Sequence, residues 1–391
     1  MNHKEFDAKH FFQTYKRIPV AIARGEGCYL ISRDGRRILD FFSGLAVNSL
    51  GHGNRDVLQA INRQAENYLH LSNFYLQDAQ IELAKSLLQA SGYDRIFFSN
   101  SGTEAIEGAI KLVRRWGKEY NKQTLVSMEG AFHGRTMGSL SITGRKKYRE
   151  GYEPFLPDVK HIGLNDIEGL EKGVDDNTAA FFFEPVQGEG GVRPVTKEFI
   201  HKLLSLQEKF EFLIVADEIQ TGIGRTGKFL ACEHFAFKPD ITVVAKALGG
   251  GLPVGAILAK EKLNQHFPPG SHGTTFGGNP VACAAGNVVV QKISEKDFLE
   301  KVERKAARLR DELVALKEKY PAIIKEIRGM GLMLGINLHK PGAPFVEKFL
   351  EQDILINCTD STVLRLLPPL VIGEKEIEKF IGVFEEILKT S

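Results

Sequence analysis

Three short stretches of the sequence combine an amine, a carboxylate and a turn suited to phosphate. The first is ITVVAKALGGG (241–251), in which Lys246 ends an apolar run and three glycines follow shortly after. Desolvating an ammonium is costly, so a lysine is seldom buried, but burial near other groups lowers its pKa and frees the amine to attack a carbonyl. On this feature alone, a lysine that reaches solvent at a strand end is the simpler interpretation.

The second stretch, FLIVADEIQTGIGRTG, places Asp217 and Glu218 directly after a buried apolar run. A carboxylate at a strand end can hold a cationic ring nitrogen, because opposite charge and hydrogen bonding keep both groups ionised. Taken alone, the same aspartate fits a helix cap or a salt bridge equally well.

The third stretch, RIFFSNSGTEAIEGAIKLVRRW, has the pattern strand, turn, helix. Ser101 and Glu104 fit an S-x-x-E capping box. A helix that begins after Gly102 and Thr103 presents free backbone N–H groups and its positive dipole end, and the hydroxyls of Ser101 and Thr103 add donors. Plain capping explains this stretch alone, but the three stretches together supply the attachments that pyridoxal phosphate (PLP) requires.

Alternating apolar runs and helical patterns between about 95 and 260 predict the elements that position these residues. Most of the runs are continuously apolar, which is typical of strands covered on both faces. Repeated β–α units predict an α/β fold with a mainly parallel, helix-flanked sheet, whose strand ends are where ligands bind. The predicted strands are 95–99, 124–128, 179–185, 212–218, 241–246 and 255–259.

The two ends of the chain have different patterns. The stretch 27–42 predicts a hairpin that turns at Asp34-Gly35. A long amphipathic helix is marked by Phe298, Val302, Leu309, Leu313 and Leu316, and it is followed by apolar runs at 332–338, 354–358 and 363–369 and a helix over 374–389. We therefore expect a large PLP-binding domain of residues 51–290, a smaller α+β domain of residues 291–391, and an N-terminal segment, 1–50, that packs with the small domain.

Composition argues against several other classes of protein. The formal net charge of +2 gives no reason to expect a nucleic-acid or membrane partner. The N-terminus has no apolar signal region, and no apolar run approaches the roughly 18 residues of a membrane span. Four dispersed cysteines without a CxxC indicate no metal site and a reducing, cytoplasmic location. The basic stretch GRKKYR (144–149) is predicted to be a solvated loop.

Eight blocks, three of which overlap the stretches above, resemble those of class III, fold-type I PLP aminotransferases, and most closely the acetylornithine and ornithine aminotransferase branch. The resemblance covers nearly the whole chain. The blocks are LDFFSGLAVNSLGHG (39–53), NSGTEAIEGAIKL, AFHGRTMGSLSITG, FFEPVQGEGG, ADEIQTGIGRTG, AKALGGGLPVGA, HGTTFGGNP and VLRLLPPLVIGEKEI (363–377).

The resemblance implies a role for each residue of the cofactor site. Lys246 would hold PLP through a Schiff base and move the proton of the reaction, and Asp217 would pair with the pyridinium nitrogen. The remaining contacts would be Gln220 near the phenolic oxygen, Ser101, Gly102 and Thr103 on the phosphate, and Phe132 stacked on the ring. Thr275 would reach the phosphate of the neighbouring subunit's cofactor, with Thr274 beside it near the substrate, which implies a homodimer with shared sites.

Substrate choice would depend on two arginines, since a guanidinium suits bidentate carboxylate binding. By resemblance, Arg365 binds the α-carboxylate of glutamate or 2-oxoglutarate, and Glu189 covers it when the substrate has no second carboxylate. Arg135 binds the distal carboxylate, or the carboxylate of acetylornithine. Leu45 stands where ornithine δ-aminotransferases carry a tyrosine that contacts the free α-amino group, and apolar surroundings suit an acylated amine better.

We therefore predict transfer of the δ-amino group of N-acetylornithine to 2-oxoglutarate, a step of arginine biosynthesis. Thr103 departs from the alanine that acetylornithine enzymes often carry at the phosphate turn, so ornithine, 4-aminobutyrate and succinyldiaminopimelate aminotransferases stay open as alternatives.

An alternative from another class is a dinucleotide-dependent oxidoreductase. Gly222, Gly224 and Gly227 form a GxGxxG after a predicted strand, and Asp240 follows at a suitable distance. Two details disfavour it: four residues, 218–221, separate the strand from the first glycine, and Asp240 precedes the next strand instead of ending it. A non-catalytic binding protein on the same scaffold would have to lack Lys246 or Asp217, and both are present.

Overall fold

A computed structural model describes the backbone of residues 3–391 and the side chains from residue 5 onward; Met1 and Asn2, part of the predicted segment 1–50, lie outside the described residues. In chain order, the strands are β1 (Ile22–Glu26), β2 (Tyr29–Ser32), β3 (Arg37–Asp40), β4 (Arg95–Ser99), β5 (Thr124–Met128), β6 (Val159–Ile162), β7 (Thr178–Phe183), β8 (Val186–Gln187), β9 (Arg193–Pro194), β10 (Leu213–Asp217), β11 (Ile241–Val244), β12 (Gly255–Ala259), β13 (Ile324–Met330), β14 (Met333–Leu338), β15 (Ile354–Leu355), β16 (Asn357–Thr359) and β17 (Val363–Leu366).

The helices connect and cover these strands. They are α1 (His3–His10), α2 (Ser43–Ala46), α3 (Arg55–Asn67), α4 (Asp78–Ser91), α5 (Gly102–Glu119), α6 (Met137–Ile142), α7 (Lys146–Arg149), α8 (Ile167–Gly173), α9 (Lys197–Phe210), α10 (Pro280–Ile293), α11 (Lys296–Lys319), α12 (Ala343–Glu351) and α13 (Glu374–Lys389). Short 3₁₀ helices lie at Ala231–Phe235, Lys246–Gly249 and Glu261–His266.

The large sheet of the described residues has the strand order β4-β12-β11-β10-β7-β5-β6. Neighbours from β11 to β6 pair in parallel, whereas β12 pairs antiparallel with both β11 and β4. The predicted α/β fold is therefore confirmed, with one strand reversed. All six strands predicted for this sheet are present, and most of them had a continuously apolar sequence, but β6 was missed, because its VKHI sequence is short and carries a lysine and a histidine.

Packing on both faces explains why the central strands are apolar throughout. Phe181 and Phe183 of β7 point into the hydrophobic cluster that includes α9, while Phe182 between them joins the cluster that includes α5. Each of the three rings is fully buried. Since burying a phenylalanine side chain contributes roughly 1.5–3 kcal/mol, strands of this kind fix α5 and α9 on opposite faces of the sheet.

Two smaller sheets form from the ends of the chain. Strands β2 and β3 form the predicted hairpin, β1, which was not predicted, pairs with β2, and β3 pairs in parallel with β15 from the C-terminal part. Strands β13, β14, β17 and β16 form an antiparallel sheet, and α11 and α13 have close to the predicted bounds. One hydrophobic cluster runs from Val57 of α3 to Phe384 of α13. The division at residues 50 and 290 therefore stays a prediction.

The glycines of the GxGxxG do not open a helix, which makes the dinucleotide interpretation wrong. Gly222, Gly224 and Gly227 lie in successive turns after β10, and the next helical element is the 3₁₀ helix Ala231–Phe235. The carboxylate of Asp240 accepts the backbone N–H of Ile214 and forms ion pairs with two lysines of the neighbouring segment. That aspartate fixes the start of a strand and is not available to a ribose.

Among the described residues, no helix is both long enough and apolar enough to cross a lipid bilayer.

Candidate active site

The candidate active site lies at the carboxyl edge of the large sheet, where β4, β5, β7, β10 and β11 all end. Residues that directly follow these strands meet there around a cavity of about 500 Å³. The cavity is lined by Val47, Asn100, Ser101, Gly102, Thr103, Phe132, His133, Gly134, Arg135, Glu184, Glu189, Asp217, Ile219, Gln220, Ala245, Lys246, Gly251, Leu252, Pro253 and Val254. Lys246 and Asp217, distant in sequence, thus share one cavity with the predicted phosphate turn.

Lys246 is held at the end of β11 in an uncommon backbone conformation. Its φ is 47°, in the left-handed region that side chains with a Cβ enter at a cost of roughly 1–3 kcal/mol, and it opens a 3₁₀ turn. Burial, followed by the positive charge of Arg365, lowers the pKa of Lys246 to about 8, against the opposing effect of Asp217. Its amine is therefore neutral in an appreciable fraction of molecules near neutral pH.

Asp217 is oriented by a histidine that the sequence interpretation missed. His133 Nδ1 lies 2.8 Å from Asp217 Oδ2, and the other ring nitrogen, Nε2, lies 3.2 Å from Ser127 Oγ. Because the carboxylate only accepts, His133 donates from Nδ1. Asp217 Oδ1 accepts the backbone N–H of Ile219 at 3.1 Å. These contacts hold the carboxylate in one orientation while it faces the cavity.

The start of α5 forms the turn predicted to hold phosphate, with a cap that differs in one detail. Ser101 Oγ accepts the N–H of Glu104 at 3.3 Å. Glu104 Oε2, however, accepts the backbone and side-chain N–H groups of Asn100, both at 2.8 Å, and not the N–H of the capping residue. The glutamate of the predicted capping box therefore binds Asn100, the residue before the N-cap, and this contact holds Asn100 at the start of the helix.

The glycine of this turn packs closely against a neighbouring side chain. A Cβ at Gly102 would lie 2.7 Å from the Ile219 side chain. The hydroxyl of Thr103 is already engaged, 2.9 Å from Thr136 Oγ1 and 2.8 Å from Ser139 Oγ. We infer that the backbone N–H groups of the helix start, with the Ser101 hydroxyl, are the donors available to an anion.

Phe132 and Gln220 both line the cavity. Gln220 accepts a hydrogen bond from the buried Arg365, and Phe132 is held by the buried Glu184. The backbone N–H of Phe132 donates to Glu184 Oε2 at 2.9 Å, and Glu184 Oε1 accepts the N–H of Gly188 at 3.3 Å. Burial raises the pKa of Glu184 to about 7. Glu184 follows a strand directly, the same signal that identified Asp217, yet it was left outside the predicted catalytic set.

The two predicted substrate arginines differ in their partners. Arg365 is buried; its Nη1 lies 2.6 Å from Glu189 Oε1 and 3.3 Å from Gln220 Oε1, and its Nε donates to Asn357 Oδ1 at 3.2 Å. Arg135 is exposed, and its guanidinium contacts aromatic rings instead of a carboxylate within the described residues. One arginine is therefore covered by an anion and the other is open.

Four predicted site residues do not line this cavity: Arg365, which contacts the lining residues Glu189 and Gln220, and also Thr275, Thr274 and Leu45. Thr275 is exposed, and Thr274 reaches the site only through Asn100, whose Nδ2 donates to Thr274 Oγ1 at 3.2 Å. Leu45 lies two residues before Val47, which does line the cavity. Leu45 has a φ of 69° and belongs to a left-handed turn, α2, in which every residue has positive φ.

Comparison with known proteins assigns the family. The model of the family described as aminotransferase class-III matches residues 11–388. The chain belongs to the class-III aminotransferase family. Its relatives include the acetylornithine aminotransferase of Aquifex aeolicus (strain VF5), which is 45% identical over 97% of this chain and 100% of the relative.

Solved structures of aminotransferases superpose closely on this one. An ornithine aminotransferase from Toxoplasma gondii, described with PLP at its active site in partial occupancy, is 32% identical with a TM-score of 0.94 and covers 100% of this chain and 95% of that one. N-acetylornithine aminotransferase from Stenotrophomonas maltophilia K279a is 31% identical with a TM-score of 0.85 and covers 98% of each chain. This class-III aminotransferase is accordingly a PLP-dependent transaminase.

The side chains of the cavity fit PLP. An amine, a buried carboxylate and a helix start with free N–H groups match the aldehyde, the ring nitrogen and the phosphate in chemistry, and all three groups line one cavity. Within residues 5–391, no group of three His, Cys, Asp or Glu side chains could hold a metal ion.

Proposed function

We propose that this enzyme transfers the δ-amino group of N-acetylornithine to 2-oxoglutarate, forming glutamate, as a step of arginine biosynthesis. The observation that carries the proposal is the unequal pair of arginines: Arg365 bound by Glu189 at 2.6 Å, and Arg135 open. Such a pair can accept a substrate with one carboxylate while Glu189 stays in place, or a dicarboxylate once Glu189 moves aside. The curated relatives named acetylornithine aminotransferase support the same substrate.

In the proposed reaction, the chain's own residues bind substrate and move one proton. Bound PLP supplies an electron-poor ring that stabilises negative charge at the substrate carbon. Asp217, fixed by His133, would hold the ring nitrogen and keep it protonated through its negative charge. Lys246 would take the proton from the substrate carbon that carries the amino group and return it on the other side of the nitrogen, two atoms away, a task for which its lowered pKa of about 8 suits it. Phe132, which lines the cavity, would stack on the ring.

A panel of amino donors with 2-oxoglutarate tests the proposal directly. N-acetylornithine should give the highest kcat/KM, above ornithine, 4-aminobutyrate and succinyldiaminopimelate. A higher value for any of these three would transfer the assignment to that substrate while leaving the class of enzyme unchanged.

Replacing Leu45 by tyrosine is expected to raise kcat/KM for free ornithine by about tenfold relative to N-acetylornithine. A hydroxyl near the α-amino group would provide a hydrogen bond to a charged group, worth roughly 1.5–3 kcal/mol. Leu45→Phe, which adds the ring without the hydroxyl at the same left-handed position, is the matched control. An equal rise in both variants would assign the effect to size and remove Leu45 from the specificity argument.

We also propose a homodimer whose two chains share each site. Exposed apolar side chains on the segment 69–76, among them Phe74 and Leu76, lie beside the loop that carries Thr275. Asn73 Nδ2 joins the two by donating to the carbonyls of Thr274 and Gly277. A second copy over this surface would bury the apolar side chains and receive the Thr275 hydroxyl near its phosphate turn.

Two defective chains are expected to restore activity when they form a mixed dimer. Thr275→Asp would repel the phosphate of the opposite site, and Lys246→Ala would disable the site of its own chain. In a mixed dimer, the site that keeps Lys246 receives an unchanged Thr275 from the Lys246→Ala chain, so one of the two sites is intact. Co-expression with distinct tags, purification of the mixed dimer and a turnover assay measure this, with Lys246→Ala paired to wild type as the reference. If the mixed dimer is as inactive as its parents, the sites are not shared.

We propose a cytoplasmic location, in line with the dispersed cysteines and a substrate drawn from amino-acid metabolism.

A further inference from the structure

Tyr148 contacts three residues of the site from a segment that the sequence assigned to a solvated loop. It lies on α7 (Lys146–Arg149) and is half-buried. The centre of the Arg135 guanidinium is 3.9 Å from the centroid of its ring, the Phe132 ring meets it edge to face at 5.5 Å, and its hydroxyl is 3.5 Å from Glu189 Oε2. One side chain thus contacts both elements of substrate choice.

The ring of Tyr148 gives Arg135 a fixed position. A guanidinium held over an aromatic face is attracted by the ring quadrupole. Arg135 is otherwise exposed, and an exposed arginine loses up to about 2 kcal/mol of rotamer freedom when a ligand fixes it. Arg135 stacks on the Tyr148 ring at 3.9 Å, closer than Arg145 at 5.6 Å or Lys147 at 4.9 Å. Because this contact already restricts the rotamers of Arg135, less rotamer freedom is lost when a carboxylate binds.

The hydroxyl of Tyr148 acts on Glu189 in a different way. Glu189 uses Oε1 for Arg365, at 2.6 Å, and presents Oε2 to the Tyr148 hydroxyl. Burial, together with the charge of Glu189, raises the pKa of Tyr148, so its hydroxyl stays protonated and donates. Because the two contacts use different oxygens, Glu189 can leave Arg365 and keep the hydroxyl as a partner.

We propose that Tyr148 is a positioning residue for substrate choice, whose ring holds Arg135 for every substrate and whose hydroxyl receives Glu189 when a second carboxylate displaces it from Arg365. The inference rests on the proposed function for the identity of the one-carboxylate substrate, but its dicarboxylate part depends only on Arg135, Arg365 and Glu189.

Two substitutions separate the ring from the hydroxyl. Tyr148→Leu removes both and should weaken binding of glutarate, an unreactive dicarboxylate, to the holoenzyme by about tenfold in calorimetry. It should also raise KM for N-acetylornithine by a similar factor and leave kcat nearly unchanged. Tyr148→Phe keeps the ring and should weaken glutarate by about threefold while N-acetylornithine stays within about twofold.

Tyr152→Leu, the same change at an exposed tyrosine four residues on, is the matched control and should alter none of these values. Equal losses in Tyr148→Phe and Tyr148→Leu, or losses in kcat instead of KM, would overturn the proposal and leave Tyr148 a structural residue. A wild type that binds glutarate and converts glutamate but not N-acetylornithine would refute the proposed substrate alone, since the glutarate comparison would still decide the role of Tyr148.

Discussion

Alanine in place of Lys246 is expected to lower turnover by at least about 10⁴-fold, the upper range for loss of a positioned acid–base group. The same side chain anchors the cofactor and moves the proton, so both tasks end together. The measurement is steady-state turnover with N-acetylornithine and 2-oxoglutarate. Mass spectrometry of the borohydride-reduced protein adds a readout independent of activity, because covalent cofactor should be found on wild type and be absent from the variant.

The folded site itself should survive this substitution. Asp217, His133 and the start of α5 are held by contacts that do not involve Lys246. The variant should therefore still bind PLP without a covalent bond, as judged by its visible absorbance after gel filtration. Lys296→Ala, which changes a highly exposed lysine on α11, controls for the loss of one positive charge. Turnover near the wild-type rate in Lys246→Ala would refute the assignment of this lysine.

Much of the fold could be predicted because the central strands are apolar on both faces. Phe181 to Phe183 and the run before Asp217 are buried whichever way each side chain points, so no periodicity had to be identified. The reversed direction of β12 could not be inferred, since GAILA has the same composition as its parallel neighbours. Its direction is set by the short connection after β11, which leaves no room for a crossover helix.

The site residues that could be predicted from the local pattern alone, without the family resemblance, lie at the end of a strand or just after it. Lys246, Asp217 and the turn at Ser101 meet at the carboxyl edge because parallel strands all end there. His133 and Tyr148 have no such signal. Their importance arises from pairs between distant segments, His133 with Asp217 and Tyr148 with Glu189, and one sequence does not contain those distances.

Charge composition misled the interpretation of GRKKYR. Its lysines are exposed as predicted, but the tyrosine that follows them is half-buried and contacts the site, and Arg145 pairs with Asp360 at 3.4 Å. A basic loop that follows β5 and α6 runs along the rim of the site, so its one aromatic residue finds Arg135 there. Position along the sheet edge, and not charge, decides what such a loop does.

Alanine in place of Arg365 should divide the two half-reactions. We expect glutamate conversion to fall by about 10²-fold and N-acetylornithine conversion by no more than about fivefold, because only the former needs a second carboxylate partner. Single-turnover absorbance changes of the holoenzyme with each amino donor measure the two rates separately. Arg365 also has a structural partner, since its Nη1 is 2.6 Å from Glu189 Oε1, so the substitution leaves that carboxylate unpaired.

Glu189→Gln supplies the complementary result and resolves that ambiguity. Without the negative charge of Glu189, Arg365 stays open for glutamate, whose conversion should remain within a few-fold of wild type. The pKa of Lys246 should move further below about 8, because the charge of Glu189 no longer opposes the effect of Arg365. N-acetylornithine should then suffer more than glutamate, the reverse of Arg365→Ala. The double variant should resemble Arg365→Ala. If both single variants slow both half-reactions equally, the pair is a structural ion pair and Glu189 does not select between one carboxylate and two.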